Sequence, residues 1–95
     1  MELNETVRLM RSNDYKERFV AEYWQLKIRT EKLQAFLNKI EAIELAPVRG
    51  NIILEEPAHD CPTHLLMDQL RTMKNYLHIL EVRAEIECID LTKGV

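Results

Sequence analysis

The sequence is poor in the residues that break secondary structure and has no long apolar segment. Its 95 residues include two glycines and three prolines, and this scarcity disfavours an all-β protein, which needs many turns. No apolar run approaches the roughly 20 residues that a membrane span requires. Cys61 and Cys88 are the only cysteines, and no apolar signal segment precedes the first predicted helix. We therefore expect one soluble domain in a reducing cytoplasm.

An excess of basic residues is also missing. The chain carries 13 Lys and Arg against 16 Asp and Glu, a formal net charge of −3. Generic DNA binding through counterion release needs a basic excess, so nucleic acid is an unlikely partner. Hydrophobic residues make up 46% and charged residues 31% of the chain. This combination suits helices with one apolar stripe and one charged face.

Helical periodicity dominates the first half of the chain. Residues 1–11 read as a short helix, and a long helix is predicted over 14–44. Asp14 is its expected N-cap, because Glu17 follows at the spacing of a capping box. The apolar seam of this helix alternates spacings of four and three: Phe19, Tyr23, Leu26, Thr30, Leu33, Leu37 and Ile40.

A loop over 46–61 separates this helix from a second long one. Pro47 and Gly50 end the first helix, and the apolar segment 51–54 is expected to pack across the end of the hairpin. A short β-like pairing of this segment within an oligomer is the weaker alternative. The second helix is predicted over 62–89, with Pro62 in its first turn, Asp60 or Cys61 as its cap, and Lys93 in a frayed tail. Its seam again alternates four and three: Leu66, Leu70, Met73, Leu77, Leu80 and Ala84.

These elements predict an all-α fold: one helical domain over residues 1–95, an antiparallel two-helix hairpin with a short N-terminal helix. Each long helix carries a second apolar strip that a lone hairpin leaves in water, with Trp24 and Phe36 on the first and Ile79 and Ile86 on the second. Burying such side chains is favourable by about 1.5–3 kcal/mol each, so we expect a helical-bundle homo-oligomer. Alternatively, the N-terminal helix covers the strip and leaves a monomer.

Catalytic and metal-binding motifs are weak or missing. His59, Asp60, Cys61 and His64 offer zinc ligands, but they form one crowded group rather than two spaced pairs. The start of a helix explains the same residues. There is no Gly-rich phosphate loop, no nucleophile elbow and no repeated Cys-x-x-Cys. The sequence thus predicts a protein that is not an enzyme and that uses no metal or cofactor.

Basic and aromatic residues flank the two apolar seams. Guanidinium groups bind phosphates in a bidentate way, and aromatic faces stack on bases. Tyr23 and Arg83 are expected near the same end of the hairpin, where symmetry could build a small anionic pocket. The alternative is a set of ordinary ion pairs such as Arg83 with Glu87. The candidate ligand-binding residues are Arg18, Tyr23, Arg29, Lys32, Tyr76 and Arg83.

Two segments carry a resemblance to a known family. The segment DYKERFVAEYWQLKIRTEKL begins at Asp14, and LLMDQLRTMKNYLHILEVRA begins at Leu65. Together they resemble a widespread family of small phage proteins related to one first named in a crAss-like phage. That family is similar in size and hairpin design to phage sponges, which oligomerise and sequester cyclic nucleotide messengers of the CBASS and Thoeris defence systems.

The resemblance implies a phage-encoded anti-defence protein that acts in the cytoplasm of a bacterial host and binds a cyclic nucleotide immune signal without cleaving it. Its partners would be further copies of itself and a phosphate-bearing ligand. The alternative is a protein-interaction module whose apolar helix faces dock on a host or phage protein.

Overall fold

The computed structural model describes residues 1–92, and these form three helices and one small pair of strands. The long helices confirm the predicted helical architecture, whereas the strand pair adds a β element to it. The frayed tail predicted at Lys93 lies outside the described residues. In chain order the elements are a 3-10 turn (Leu3–Glu5), α1 (Thr6–Met10), α2 (Tyr15–Leu45), β1 (Val48–Arg49), β2 (Ile52–Ile53) and α3 (Thr63–Glu87).

The start of α2 is capped as predicted at Asp14 but not by a reciprocal capping box. The Asp14 side chain accepts a hydrogen bond from the backbone N–H of Lys16 at 2.9 Å. Glu17 accepts one from the Ser12 hydroxyl at 3.2 Å, while the backbone N–H of Asp14 donates to that same hydroxyl at 3.0 Å. Ser12 therefore stands between the two groups that a capping box would join directly.

The long helices run antiparallel and form a rod of 54 × 23 × 23 Å. Tyr15, at the start of α2, contacts Glu87 at the end of α3. Near the middle, Lys74 Nζ donates to Gln34 Oε1 at 2.5 Å. These two levels fix the register of the hairpin.

The core between α2 and α3 is divided at Thr30, the polar residue of the α2 seam. Thr30 is buried and donates its hydroxyl hydrogen to the carbonyl of Leu26 at 2.6 Å. The cluster nearer the chain ends, the terminal cluster, contains Leu9, Phe19, Val20, Ala21, Tyr23, Leu80, Ala84 and Ile89. The cluster nearer the loop, the loop cluster, contains Leu37, Ile40 and Leu70.

The N-terminal segment covers the outer side of α2. Thr6 and Leu9 are fully buried against it, and Gln25 donates to the Thr6 hydroxyl at 3.0 Å. The chain after α3 also folds back, since Trp24 Nε1 donates to the carbonyl of Leu91 at 2.7 Å. The second apolar strip of α2 is thus partly covered within one chain.

In the described part of the chain, the matching strip on α3 has no such cover. Ile79 is 53% exposed and Ile86 75% exposed, with Val82 between them also exposed. These three residues follow the three-then-four spacing of a helix seam. We call Ile79, Val82 and Ile86 the α3 stripe.

The prediction that segment 51–54 packs across the hairpin end is wrong. The loop pairs with itself instead: β1 and β2 are antiparallel, with Val48 opposite Ile53 and Arg49 opposite Ile52. Gly50 takes a positive φ of 65° in the turn between them, a conformation that favours glycine. The side chains of Ile52 and Ile53 therefore point into water, 66% and 76% exposed.

The start of α3 differs from expectation, while its end at Glu87 lies within the predicted range. Pro62 is itself the N-cap, with no side-chain cap from Asp60 or Cys61. The backbone N–H groups of Leu65 and Leu66 donate to its carbonyl at 3.1 and 3.2 Å. At the other end, Cys88 adopts a left-handed conformation with φ 55°, which turns the chain back onto α2.

Candidate functional site

Arg83 lies at the centre of a polar cluster near the chain ends, but its charge is already paired. Its Nε donates to Glu87 Oε2 at 2.8 Å, and its guanidinium carbon stands 4.9 Å from the centre of the Phe19 ring. The Tyr15 hydroxyl donates weakly to the other oxygen of Glu87 at 3.4 Å. The hydrogen bond from Arg83 is the main reason that the pKa of Glu87 is lowered. The i,i+4 ion pair considered from the sequence is present.

Tyr76 borders this cluster and belongs to a second pair across the helices. Its hydroxyl donates to Glu22 Oε1, and this hydrogen bond is the main cause of a raised Tyr76 pKa, followed by burial. Tyr76 and Arg83 are thus brought together, with Glu22 acting on the pKa of both. An anion entering here would meet Glu22 and Glu87 as well as Arg83.

Tyr23 is a core residue rather than a surface platform. It is only 7% exposed within the terminal cluster, and its ring meets that of Trp24 edge to face at 5.5 Å. Lys27 Nζ stands 5.8 Å from the Tyr23 ring centre and 5.6 Å from that of Trp24. Tyr23 and Arg29 are six residues apart, which turns them about 120° from each other around α2. The structure does not place these two side chains in one pocket.

Three candidate cations share one side of α2, spread over about 21 Å of helix. Arg18 Nη1 donates to the carbonyl of Ser12 at 2.7 Å and thereby holds the turn between α1 and α2. Arg29 and Lys32 are exposed, and within residues 1–92 neither side chain has a hydrogen-bond or ion-pair partner. Of the six candidates, these two are the most available to a phosphate.

The structure also contains a groove that the sequence reasoning missed. It lies between α2 and α3 in the loop half of the hairpin, with a volume of about 580 Å³. Leu37, Ile40 and Leu70, the loop cluster, form its floor. The walls come from Gln34, Asn38, Glu41 and Glu44 on α2 and from Thr63, Met67, Arg71, Lys74 and Asn75 on α3. The sequence pattern that could have revealed the groove is a four-then-three spacing of wall residues beside each seam. On α2 these residues are Gln34, Asn38 and Glu41, and on α3 they are Met67, Arg71 and Lys74.

Charge varies along this groove. Lys74 and Arg71 lie toward the middle of the rod, where Lys74 is level with Gln34. Glu41 and Glu44 lie farther along α2, toward the loop. The groove therefore has a basic end and an acidic end over one apolar floor.

The family model of Sequestin matches residues 13–86. The chain belongs to the Sequestin family. The match takes in α2, the loop and nearly all of α3, so it contains all six candidate residues and the whole groove, and it leaves out α1. No curated protein and no solved structure matches the chain.

The described part of this Sequestin chain contains neither a cluster of metal ligands nor a helix that could span a membrane. Within 1–92, no group of three His, Cys, Asp or Glu side chains converges as a metal site would require. His59 instead packs edge to face on Phe36 at 5.8 Å and hydrogen-bonds through Nδ1 to the Cys61 carbonyl at 2.6 Å. None of the helices described is long and apolar enough to cross a membrane.

Proposed function

We propose that this protein is a phage-encoded anti-defence protein that binds and sequesters a cyclic nucleotide immune signal without cleaving it. The observation that carries the proposal is membership of the Sequestin family, whose name denotes a sequestering role. The resemblance to phage sponges supplies the class of ligand. A sequestering protein needs affinity and abundance rather than catalytic groups.

Exposed cations on α2 support a phosphate-bearing ligand. Arg29 and Lys32 stand one turn apart without side-chain partners among the described residues, so binding a phosphate would not require an existing pair to break. Tyr76 and Arg83 lie across the seam, where Arg83 would have to exchange Glu87 for the ligand. We therefore expect Arg29 and Lys32 to contribute more affinity than Arg83.

The α3 stripe supports self-association. Ile79, Val82 and Ile86 form an apolar seam with no partner in the described part of the chain, and a second copy could supply one. The exposed fractions of the three side chains add up to fewer than two whole residues per copy. Burying them would stabilise the association by about 3–5 kcal/mol per copy. In a symmetric pair both copies bury the stripe, so the stabilisation doubles, while association costs about 4–15 kcal/mol. Because the two energies are similar, we expect an oligomer whose population depends on protein concentration.

The direct test is native mass spectrometry of the protein alone and with a panel of cyclic nucleotides. The proposal expects an oligomer that gains whole ligand masses and returns the ligand intact after denaturation. The double variant Arg29→Ala/Lys32→Ala should lose affinity, while Lys39→Ala, an exposed cation elsewhere on α2, should retain it. If the ligand is recovered in hydrolysed form, or if the protein retains no ligand, the result contradicts sequestration.

A protein-interaction module is the second candidate function, and the loop tip favours it. Leu45, Val48, Ile52 and Ile53 are all more than half exposed within nine residues of chain. Such a concentration of apolar side chains is unusual on a surface that only water covers. If this reading is right, Ile52→Asp or Ile86→Asp abolishes capture of a host protein, while Arg29→Ala does not.

A further inference from the structure

We propose that the groove in the loop half of the hairpin is the ligand site, and that it takes a small phosphate ester whose other end carries sugar hydroxyls. The phosphate would bind Arg71 and Lys74, and the hydroxyls would face Glu41 and Glu44. This inference rests on the proposed function only in that both require a phosphate-bearing ligand. It moves the site away from the Arg83 cluster.

The dimensions of the groove suit such a ligand. Its volume of about 580 Å³ falls within the range of about 300–1,000 Å³ for small-molecule sites. Arg71 and Lys74 are three residues apart and share one side of α3, as Glu41 and Glu44 do on α2. Lys74 is level with Gln34, so Glu44 lies about 15 Å farther along the rod. A phosphate, a sugar and a base fit end to end within that length.

Each part of the groove matches one part of the ligand chemically. An arginine guanidinium can hold two phosphate oxygens at once, and a lysine adds a mobile positive charge. Carboxylates accept hydrogen bonds from ribose hydroxyls, as acidic residues do in dinucleotide-binding folds. The floor of Leu70 and the adjoining Met67 offer an apolar surface to a base, and the amide of Asn38 offers both a donor and an acceptor to its edge.

The two cations of the groove are easily released from their present contacts. Arg71 pairs with Asp68 at 3.2 Å, and both side chains are largely exposed, a class of ion pair worth about 0–1 kcal/mol. Among residues 1–92, the polar partner of Lys74 is the neutral amide of Gln34. Arg83, by contrast, shares Glu87 with Tyr15 and packs on Phe19. A phosphate therefore displaces less at the groove than at the Arg83 cluster.

Isothermal titration calorimetry with four probes tests the assignment: inorganic phosphate, ribose 5-phosphate, adenosine 5′-monophosphate and cyclic di-AMP. For the probes that wild type binds, Arg71→Ala/Lys74→Ala should weaken binding at least tenfold. The matched control Arg8→Ala/Arg11→Ala, also two exposed cations three residues apart but on the N-terminal segment, should change it less than twofold. Circular dichroism checks that both variants remain helical.

The acidic end has its own test. Glu41→Gln/Glu44→Gln should weaken the binding of ribose 5-phosphate and adenosine 5′-monophosphate but not that of inorganic phosphate, because only the first two carry ribose hydroxyls that donate hydrogen bonds to the carboxylates. A wild type that binds none of the four probes overturns the groove assignment. The groove assignment is also overturned if the affinity for cyclic di-AMP is unchanged in Arg71→Ala/Lys74→Ala but falls in Arg29→Ala/Lys32→Ala. In that case the proposed function still stands. If the protein binds adenosine 5′-monophosphate but no cyclic nucleotide, the groove assignment is supported and the proposed function is contradicted.

Discussion

Truncating one leucine in each half of the divided core should destabilise the protein unequally. Leu80 is completely buried in the terminal cluster, where α1, α2 and the chain after α3 all pack together. Leucine-to-alanine changes in rigid cores cost about 2–5 kcal/mol, with the larger values where the cavity cannot collapse. We expect Leu80→Ala near the upper end, at about 4 kcal/mol. Leu70→Ala, on the floor of an open groove, should lower the free energy of unfolding by about 2 kcal/mol, because water and neighbouring side chains can enter the space left by the leucine.

Urea unfolding followed by circular dichroism measures both values, given as changes in the free energy of unfolding at equal m-value. Leu65→Ala, on the exposed side of α3, is the matched control and should cost less than about 0.5 kcal/mol. Equal losses for Leu80→Ala and Leu70→Ala would refute the reasoning, since they would mean that the groove floor is as tightly enclosed as the terminal cluster. A larger loss for Leu70→Ala would place the main core in the loop half.

Three further changes test contacts around the chain ends. Arg83→Gln should raise the pKa of Glu87 toward its ordinary value, which an NMR titration measures. Because the Glu87 pKa is lowered in the folded state, the pair stabilises the protein above the unfolded-state pKa of Glu87. Wild type should lose this stabilisation as the pH falls through the folded-state pKa of Glu87, whereas the variant should not. Trp24→Phe removes the hydrogen bond to the Leu91 carbonyl and should cost about 0.5–1.5 kcal/mol, seen as faster amide exchange in the segment that follows α3, with unchanged exchange there as the contrary result. Cys88→Gly should raise the thermal midpoint, because glycine adopts the left-handed conformation without the roughly 1 kcal/mol that a side chain costs there; a lower midpoint would show that the thiol makes a compensating contact.

The long helices were predictable because their apolar residues repeat at helical spacing over many turns. Asp14 could be named as the cap of α2 because its side chain needs only local backbone donors. The loop was harder, since the apolar character of Ile52 and Ile53 suggested burial. Self-pairing around Gly50 satisfies backbone hydrogen-bonding groups of this segment and leaves the side chains of Ile52 and Ile53 exposed. That outcome depends on competing local hydrogen bonds, which the apolar pattern does not show.

The candidate binding residues were less predictable than the helices, because whether a side chain is free to meet a ligand depends on its neighbours across the hairpin. Arg83 and Tyr76 have helical positions that the sequence reveals, but their partners include residues of the other long helix. Tyr23 lies in the seam, where the pattern itself indicates burial, and only its aromatic chemistry suggested a surface role. The groove is lined by side chains of both long helices, and the space left between two helices is a shape that periodicity does not encode.

The two ends of the described chain have a practical consequence for measurement. Met1 and Leu91 both pack against the terminal cluster, so a tag, dye or surface linker attached near either one sits at the same pole of the rod. Trp24, which binds the Leu91 carbonyl, is about 15 Å along α2 from Gln34 at the start of the groove, and about 30 Å from Glu44 at its far end. Protein immobilised through either end would thus present its groove and loop tip outward, so a surface-based binding assay would leave both of them accessible.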